Sequence, residues 1–260
     1  MKFIHLTDTH VIGEGLLYGQ NPAERLRAAV TSINAEHGDA DFVILTGDIT
    51  HWGDPAAYAT FRQAIGDLRM PIHLMVGNHD DTPALAEAFP AVARDGNGFV
   101  QTQLSSDFGR FLPLDTKQPG THAGAYCAKR RDWLQAELEQ SDDPVFLLMH
   151  HPPFPFGIKA MDAIRMQDAA PFFPVLEPHL HRIRHLFFGH LHRAVSGNWR
   201  GISYSCMRGL NHQVALDLTA PADRIAGTFE PPAYGVVLID ADTVVVHVHD
   251  FTDSSGRFPL

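Results

Sequence analysis

The segment Phe42-Val43-Ile44-Leu45-Thr46-Gly47-Asp48-Ile49-Thr50 is the stretch from which the rest of the chain can be interpreted. Residues 42–45 form a short apolar run, which is typical of a strand buried on both faces. Gly47 permits a tight turn, and Asp48 follows at the predicted end of the strand. A carboxylate directly behind a buried strand is unfavourable unless it is paired or bound to a cation. The segment therefore predicts a strand that delivers Asp48 to a metal site.

The same pattern, an apolar run followed by Asp, Asn or His, occurs at four other places in the chain. The runs and the residues after them are 3–6 with Asp8 and His10, 72–76 with Asn78, His79 and Asp80, 145–149 with His150 and His151, and 185–188 with His190 and His192. Ligands of open α/β sheets bind at the carboxyl ends of the strands, so these side chains are expected to line one site. Each motif alone is weak, because such residues are common in ordinary turns. The five motifs in one order are not explained by chance.

Length and composition favour a globular protein that does not bind an extended anionic partner. The chain has 260 residues, a net charge of −10 and 17 histidines. Long nucleic acid and anionic membrane both require a basic face, so the acidic balance argues against either partner. Histidine is the commonest metal ligand among side chains, so its abundance favours metal binding.

Cysteine use and the N-terminal sequence predict the cellular compartment. The two cysteines, Cys127 and Cys206, form no disulfide framework, which favours a reducing environment. Asp8 and His10 interrupt the early apolar run, so we expect no signal peptide, and we find no run of membrane-spanning length. We therefore expect a cytoplasmic protein.

Helix and strand signals alternate up to about residue 195 and then change. Between the strands, helices are predicted near 22–36, 54–68, 82–89, 129–140 and 171–181, with weak strands near 98–103 and 111–114. This alternation predicts an α/β sheet covered by helices. From residue 196 onward, strands without intervening helices are predicted at 202–207, 213–218, 235–240 and 243–248. We expect this last segment to add little to the core.

The five motifs in this order resemble those of the calcineurin-like metallophosphoesterase superfamily, over residues 1–193. Tyr18-Gly19 and His150-His151-Pro152-Pro153 are similar to its branch of bacterial class III cyclic nucleotide phosphodiesterases and glycerophosphodiesterases. The resemblance implies an α/β fold, the four-layer α-β-β-α sandwich of metallophosphoesterases. Residues 1–195 would be the core, and residues 196–260 would complete the sheet and form a cap or dimer contact.

The resemblance also implies a centre of two metal ions. The implied ligands are Asp8, His10 and His192 for one ion, Asn78, His150 and His190 for the other, and Asp48 as a bridge between them. His79 would handle protons as the catalytic residue, and Asp80 would orient it. Oxygen and imidazole ligands without thiolate suit Mn, Fe, Zn or Co, and ligand type alone does not choose among these metals.

Substrate contacts are predicted less sharply than the metal ligands. Tyr18, His151 and His212 are the candidates, with core packing or an ordinary loop position as the alternative for each. The Ser/Thr phosphatase branch of the family carries an Arg just after the Gly-Asp motif, whereas here the nearest downstream Arg is Arg62. A dianionic monoester needs more cations than a monoanionic diester, so this departure favours a phosphodiesterase.

The residues and the resemblance together predict a binuclear metal-dependent hydrolase of small phosphodiesters. The expected substrates are 3′,5′-cyclic nucleotides or glycerophosphodiesters, cleaved by in-line attack of a metal-bridging hydroxide. A metal-dependent nuclease or phosphomonoesterase of the same fold is the alternative enzyme, and a non-catalytic scaffold is the alternative from another class. We also expect a homodimer or a higher homo-oligomer, because exposed strand edges are natural pairing surfaces.

Overall fold

The computed structural model describes residues 1–256 and 258–259 and contains two β-sheets that pack face to face between layers of helices. The helices are α1 Pro22–Glu36, α2 Pro55–Ala64, α3 Thr82–Ala88, α4 Ala128–Glu139, α5 Lys159–Asp162 and α6 Phe173–Leu176, the last followed by a 3-10 helix at Glu177–Arg182. The strands are β1 Lys2–Leu6, β2 Phe42–Leu45, β3 Ile72–Leu74, β4 Leu104–Ser106, β5 Gly109–Leu114, β6 Val145–Met149, β7 Ile183–Phe188, β8 Val195–Trp199, β9 Ile202–Cys206, β10 Gln213–Val214, β11 Gly227–Thr228, β12 Tyr234–Ile239 and β13 Val244–His249.

The strand order brings the ends of the motif-bearing strands together. One sheet has the order β13-β12-β1-β2-β3, and the other has the order β4-β5-β6-β7-β9-β8. Strands β1, β2 and β3 are parallel to one another, as are β5, β6, β7 and β9. Parallel neighbours end at the same edge, so the loops after β1, β2 and β3 lie side by side, and so do those after β6 and β7.

Three apolar cores hold the layers together, and the predicted four-layer sandwich is confirmed. Between the sheets, the ring of Phe3 packs against those of Phe42, Phe111 and Phe187 at centroid distances of 5.3–5.4 Å. Helices α1, α2 and α3 cover the outer face of the five-stranded sheet, and α4, α5 and α6 cover that of the six-stranded sheet. Among the described residues, no helix is long and apolar enough to cross a membrane.

The first three helices begin at side chains that cap them. Asn21 Oδ1 accepts hydrogen bonds from two amides of the first turn of α1, and Pro22 stands at the start of that helix. Asp54 and Asp81 cap α2 and α3 in the same way, each through one amide. These side chains satisfy amides that have no partner within the helix, so the loops before them end at defined positions.

The expectation that the segment after residue 196 adds little to the core is wrong. Strand β12 lies between β13 and β1, antiparallel to β1, and β9 pairs with β7. Tyr234 and Val237 of β12 are fully buried. The segment therefore supplies strands to both sheets, because pairing between distant parts of the chain, rather than local pattern, sets strand order.

Other differences from the predicted elements concern their bounds. The strand predicted at 98–103 lies at Leu104–Ser106, and the one predicted at 213–218 is limited to Gln213–Val214. The helix predicted near 171–181 is α6 followed by the 3-10 helix. The short strand β8 and helix α5 were not predicted. Prolines and glycines border most of these segments, and they weaken the periodic signal.

Candidate metal centre

The loops after β1, β2, β3, β6 and β7 meet in one place and bring the predicted ligands together. The six Asp and His candidates are nearly or completely buried: Asp8, His10, Asp48, His150, His190 and His192. Asn78 joins them from the loop after β3. The structure thus clusters all seven side chains that the sequence suggests as ligands, although they span almost the whole first three quarters of the chain.

The first group of candidate ligands comes from the loops after β1 and β7. The Nε2 atoms of His10 and His192 lie 3.0 Å apart. Asp8 Oδ1 lies 3.2 Å from His192 Nε2 and 3.9 Å from His10 Nε2. These ring nitrogens and the carboxylate oxygen converge on one point, as ligands of a single cation would.

Asp48 lies between the first group and a second one. Its Oδ2 atom is 3.5 Å from His10 Nε2 and 3.3 Å from His150 Nε2. His150 Nε2 is in turn 3.2 Å from Asn78 Oδ1, and the rings of His150 and His190 have centroids 5.1 Å apart. One carboxylate oxygen therefore faces both groups, which is the position of a bridging ligand.

The backbone at these positions is in an unusual conformation. Among the described residues, seven that are not glycine have positive φ angles, and five of them are Asp8, His10, Asp48, His190 and His192. A left-handed conformation costs about 1–3 kcal/mol for residues with a side chain and is commonest at functional sites. The left-handed backbone turns these side chains into the site soon after β1, β2 and β7.

Close approach of the loops requires glycine at two positions. A methyl group on Gly77 would overlap the Asp48 carboxylate, and one on Gly189 would overlap the Thr7 hydroxyl, next to Asp8. Any larger residue would therefore push apart the loops that carry the ligands. This explains the Gly-Asn and Gly-His pairs seen in the sequence.

Hydrogen bonds to the outer ring nitrogens fix how the candidate ligands point. His150 Nδ1 donates to the carbonyl oxygen of Thr46 at 2.8 Å, and His192 Nδ1 donates to that of His212 at 2.8 Å. A carbonyl can only accept, so each ring carries a proton on Nδ1, and its Nε2 atom faces the site. This is the usual way in which proteins orient histidines toward a metal.

His51 orients two further rings, and sequence reasoning did not select it. Its Nδ1 atom lies 3.0 Å from Nδ1 of His10, and its carbonyl oxygen accepts a hydrogen bond of 2.8 Å from Nδ1 of His79. The rings of His51 and His79 stack with centroids 4.7 Å apart. Its position three residues after Asp48 was the only signal in the sequence.

The predicted orienting role of Asp80 stays a prediction, because the hydrogen bond that the structure shows at His79 Nδ1 goes to the carbonyl of His51. Asp80 is 2% exposed and accepts bonds of 2.9–3.1 Å from the amides of Ile49, Thr50 and Gly77 and from the hydroxyl of Tyr58. Burial, together with the nearby Asp48 charge, raises the pKa of Asp80 to about 6. Asp80 thus joins the loops after β2 and β3 and does not bond the His79 ring.

Of the predicted substrate contacts, Tyr18 and His212 line the cavity above the ligands, and His151 does not. The cavity lining gives no support to the predicted substrate contact of His151, which stays a prediction. Its ring is fully buried, with Nδ1 2.8 Å from the Thr116 hydroxyl and Nε2 bonded to the carbonyl of His122. Although His151 lies near His150 and His190, both its nitrogens are occupied.

His122 also lines the cavity, although it belongs to none of the five motifs. Its Nδ1 atom lies 2.9 Å from Asn78 Nδ2, so it holds the amide with its oxygen toward His150. The residue lies in an irregular loop far from any motif. No local pattern could have selected it, because loop–loop contact alone brings it to the site.

The donor atoms and their electrostatics fit metal ions. His190 Nε2 is buried without a hydrogen-bond partner, although buried ring nitrogens normally have one. Burial lowers the pKa of His190 to about 3, so its ring is neutral and can offer a nitrogen lone pair to a metal ion. Burial disfavours a proton on His150 as well, yet the Asp48 carboxylate raises the pKa of His150 to about 9. The negative charge that stabilises a proton there would also stabilise a cation.

Above the candidate ligands lies a cavity of about 520 Å³. One side is formed by the imidazole rings, Asp48 and Asn78, and the other is apolar. The apolar side consists of Met161, Ile164, Val214, Ile225 and Phe229. Within the described part of the chain, neither Lys nor Arg lines this cavity. Its size is typical of a small-molecule site.

Comparison with known proteins gives matches along the full length of the chain. A protein of Rhodopseudomonas palustris named as a probable cyclic nucleotide phosphodiesterase is 44% identical over 265 residues, which cover 100% of this chain and 96% of that protein. A glycerophosphodiester phosphodiesterase of Enterobacter lignolyticus is 32% identical over 222 residues, which cover 82% of this chain and 79% of that protein.

Solved structures and a family model agree with these matches. A dimetal phosphatase from Danio rerio superposes with a TM-score of 0.71 at 17% identity, over 97% of this chain and 96% of that one, which shows a common fold. The model of the calcineurin-like phosphoesterase family matches residues 1–194, the part that carries all five motifs. This chain therefore belongs to the calcineurin-like phosphoesterase family, as the motifs predicted.

Proposed function

We propose that this protein is a binuclear metal-dependent phosphodiesterase of small diesters, with 3′,5′-cyclic nucleotides and glycerophosphodiesters as candidate substrates. The observation that carries the proposal is the charge of the cavity, whose described lining includes Asp48 and several imidazoles but neither Lys nor Arg. A dianionic monoester would have too few cationic partners there, whereas a diester brings one negative charge less. The names of the two curated relatives support the same class.

We propose two metal ions, drawn from Mn, Fe, Zn or Co, as the cofactors. The proposed ligands are Asp8, His10 and His192 for one ion, Asn78, His150 and His190 for the other, and Asp48 for both. When bound, such ions lower the pKa of water and offset negative charge on phosphoryl oxygens. The oriented ring nitrogens and the free Nε2 of His190 support this assignment.

We assign proton transfer to His79. Its amide donates to Asp48 Oδ1 at 2.9 Å, and its Nδ1 donates to the carbonyl of His51, so the ring is held beside the ligands. Because the His51 carbonyl keeps a proton on Nδ1, Nε2 carries a proton only in the imidazolium form. In its imidazolium form, His79 would therefore donate the proton on Nε2 to the leaving oxygen. Before that transfer, the positive charge of the ring would help to balance the negative charge of the phosphoryl group.

We propose that Tyr18 and His212, which line the cavity beside His192, position the substrate. The two rings lie 4.8 Å apart, and the ring of His212 is 4.5 Å from that of His192. Burial and the neighbouring His192 lower the pKa of His212 to about 3, so its ring is neutral. Neutral rings at this place would contact substrate without adding charge.

The proposed partners are a small phosphodiester and a second copy of the chain, in a reducing cytoplasm. Cys127 and Cys206 are both free thiols, which suits such a compartment. Long nucleic acid is not proposed as a substrate, because the cavity lining described above offers no cationic track for its backbone.

Diesters are expected to be cleaved with higher kcat/KM than matched monoesters. The comparison is bis(p-nitrophenyl) phosphate against p-nitrophenyl phosphate, with one metal loading for both. The reason is the shortage of cations in the cavity. Asp48→Ala is the control and should lose both activities together with bound metal. A clear preference of the intact enzyme for the monoester would contradict the proposal.

His79→Ala should damage the cleavage of alkyl diesters far more than that of p-nitrophenyl diesters. An alkoxide needs a proton on leaving, and general acid help is worth about 10²–10⁴-fold, whereas p-nitrophenolate leaves without one. The exposed His247→Ala is the matched control and should change neither rate. Equal losses on both substrates, with full metal content, would exclude the acid role.

Asp80→Ala should lower the free energy of unfolding by about 3 kcal/mol or more, since it leaves several buried donors unpaired. Urea unfolding measures this, with the exposed Asp39→Ala as control.

In Asp80→Asn, the ratio of alkyl to aryl cleavage should stay as in the parent enzyme, because the His51 carbonyl orients His79. A ratio that falls as in His79→Ala would support the orienting role of Asp80.

The protein should sediment as a dimer or a larger oligomer at micromolar concentration. Strand β13 is the outer strand of its sheet, and Val245 and Val248 on it are 40% and 45% exposed. Such an edge can pair with that of a second copy. Val248→Lys should then favour the monomer. A parent protein that sediments at the monomer mass of 28.7 kDa would contradict this.

A further inference from the structure

The apolar side of the cavity belongs to an element that no motif predicts. Strands β10 and β11 pair as an antiparallel ribbon, separate from both large sheets. Val214 of this ribbon is buried, whereas Ile225 and Phe229 next to it are 48% and 65% exposed. Met161 and Ile164, from helix α5 and the residues after it, complete the apolar surface. We call these five residues the ribbon wall.

We propose that the ribbon wall binds the nucleobase of the substrate and so selects cyclic nucleotides over glycerophosphodiesters. This inference rests on the proposed phosphodiesterase function, because it assigns the part of the diester that lies away from the metal ligands. Ile225 and Phe229 are exposed and line the cavity together with further apolar side chains, and apolar surface grouped beside polar residues is typical of a ligand-binding groove.

The wall is continuous with the reactive end of the cavity. His212, directly before β10, accepts a hydrogen bond from the candidate ligand His192 through its carbonyl oxygen. The next two residues, Gln213 and Val214, form β10 and line the cavity with Phe229. A nucleotide whose phosphate lies at the ligands would therefore extend its base along the wall.

The ribbon is held in place before any ligand binds. Arg193 donates a 2.7 Å hydrogen bond to the carbonyl of Val214 and pairs with Glu230 at 3.1 Å. The Gln213 side chain bonds the amide and the carbonyl of Gly209, at 3.0 and 2.7 Å. A preformed wall loses little conformational freedom when it binds a rigid ring.

The side chains of the ribbon wall are suited to contact the flat face of a base rather than the polar atoms along its edge. The Gln213 amide is engaged by Gly209, so it is not free to read donors and acceptors on a base. Phe229, Ile225 and Met161 offer apolar contact and stacking, which all bases accept. A glycerol group carries hydroxyls that this surface cannot satisfy. The wall therefore selects for a base but discriminates weakly between adenine and guanine.

A second copy of the chain is a less suitable occupant of the wall. Docked there, it would cover the side of the cavity that Ile225 and Phe229 form, and with it access to Asp48 and Asn78. The edge of β13 offers an alternative surface for association. This leaves the wall to the substrate.

The test compares Phe229→Ala with the parent enzyme on cyclic AMP, cyclic GMP and a base-free analogue, the 3′,5′-cyclic phosphate of 1-O-methylribose. Loss of one stacking ring should lower kcat/KM for both nucleotides about tenfold and leave the base-free diester within about twofold. The parent enzyme should cleave the two nucleotides at rates within about threefold of each other. Leu216→Ala, at a 64% exposed residue in the loop just after β10 and outside the cavity, should change none of these rates.

Equal losses on all three diesters, or no loss on any, would overturn the base site while leaving the phosphodiesterase function in place. A change in sedimentation without a change in rates would identify the wall as a subunit interface. If the parent enzyme cleaves no diester, the proposed function is wrong. Ligand binding measured by calorimetry then tests whether the ribbon wall binds a base. Adenosine 5′-phosphate should bind the parent protein more tightly than ribose 5-phosphate, and Phe229→Ala should remove the difference.

Discussion

The structure depends on two carboxylates, Asp8 and Asp48, that are buried where both sheets end. Such groups are costly in a protein interior unless positive charge compensates them. The ion-pair partners found for both are histidine rings, which carry charge only when protonated. Metal ions bound between these rings and carboxylates would take the place of the histidine protons and supply the compensating positive charge. The need to compensate two buried anions thus joins the fold to the chemistry.

The fold meets this constraint by bringing loops from two sheets to one edge. The parallel strands end together, left-handed backbone turns the ligand side chains inward, and Gly77 and Gly189 let the loops approach closely. Asp80 then joins the loops after β2 and β3, because its carboxylate accepts hydrogen bonds from backbone amides of both loops. Strain at single residues persists because the surrounding hydrogen bonds and sheets hold it in place.

The sequence predicted what local patterns encode and missed what depends on distant contact. Strand ends and the polar residues that follow them are predicted by the apolar runs, the family resemblance selects seven of these residues as candidate ligands, and the structure brings the seven together. The position of β12 in the middle of a sheet could not be predicted, since pairing with β1 spans most of the chain. His51 was not selected, because its contacts with His10 and His79 exist only in the folded loops, and the hydrogen bonds of Asp80 to the loop after β2 could not be read from the sequence either.

The central claim is that Asp48 bridges two metal ions, and anomalous diffraction from crystals grown with manganese tests it most directly. The account predicts two anomalous peaks about 3.5–4 Å apart, with Asp48 Oδ2 between them, one beside His10 and His192 and the other beside His150 and His190. A single peak at full occupancy, or two peaks that do not share Asp48, would contradict it.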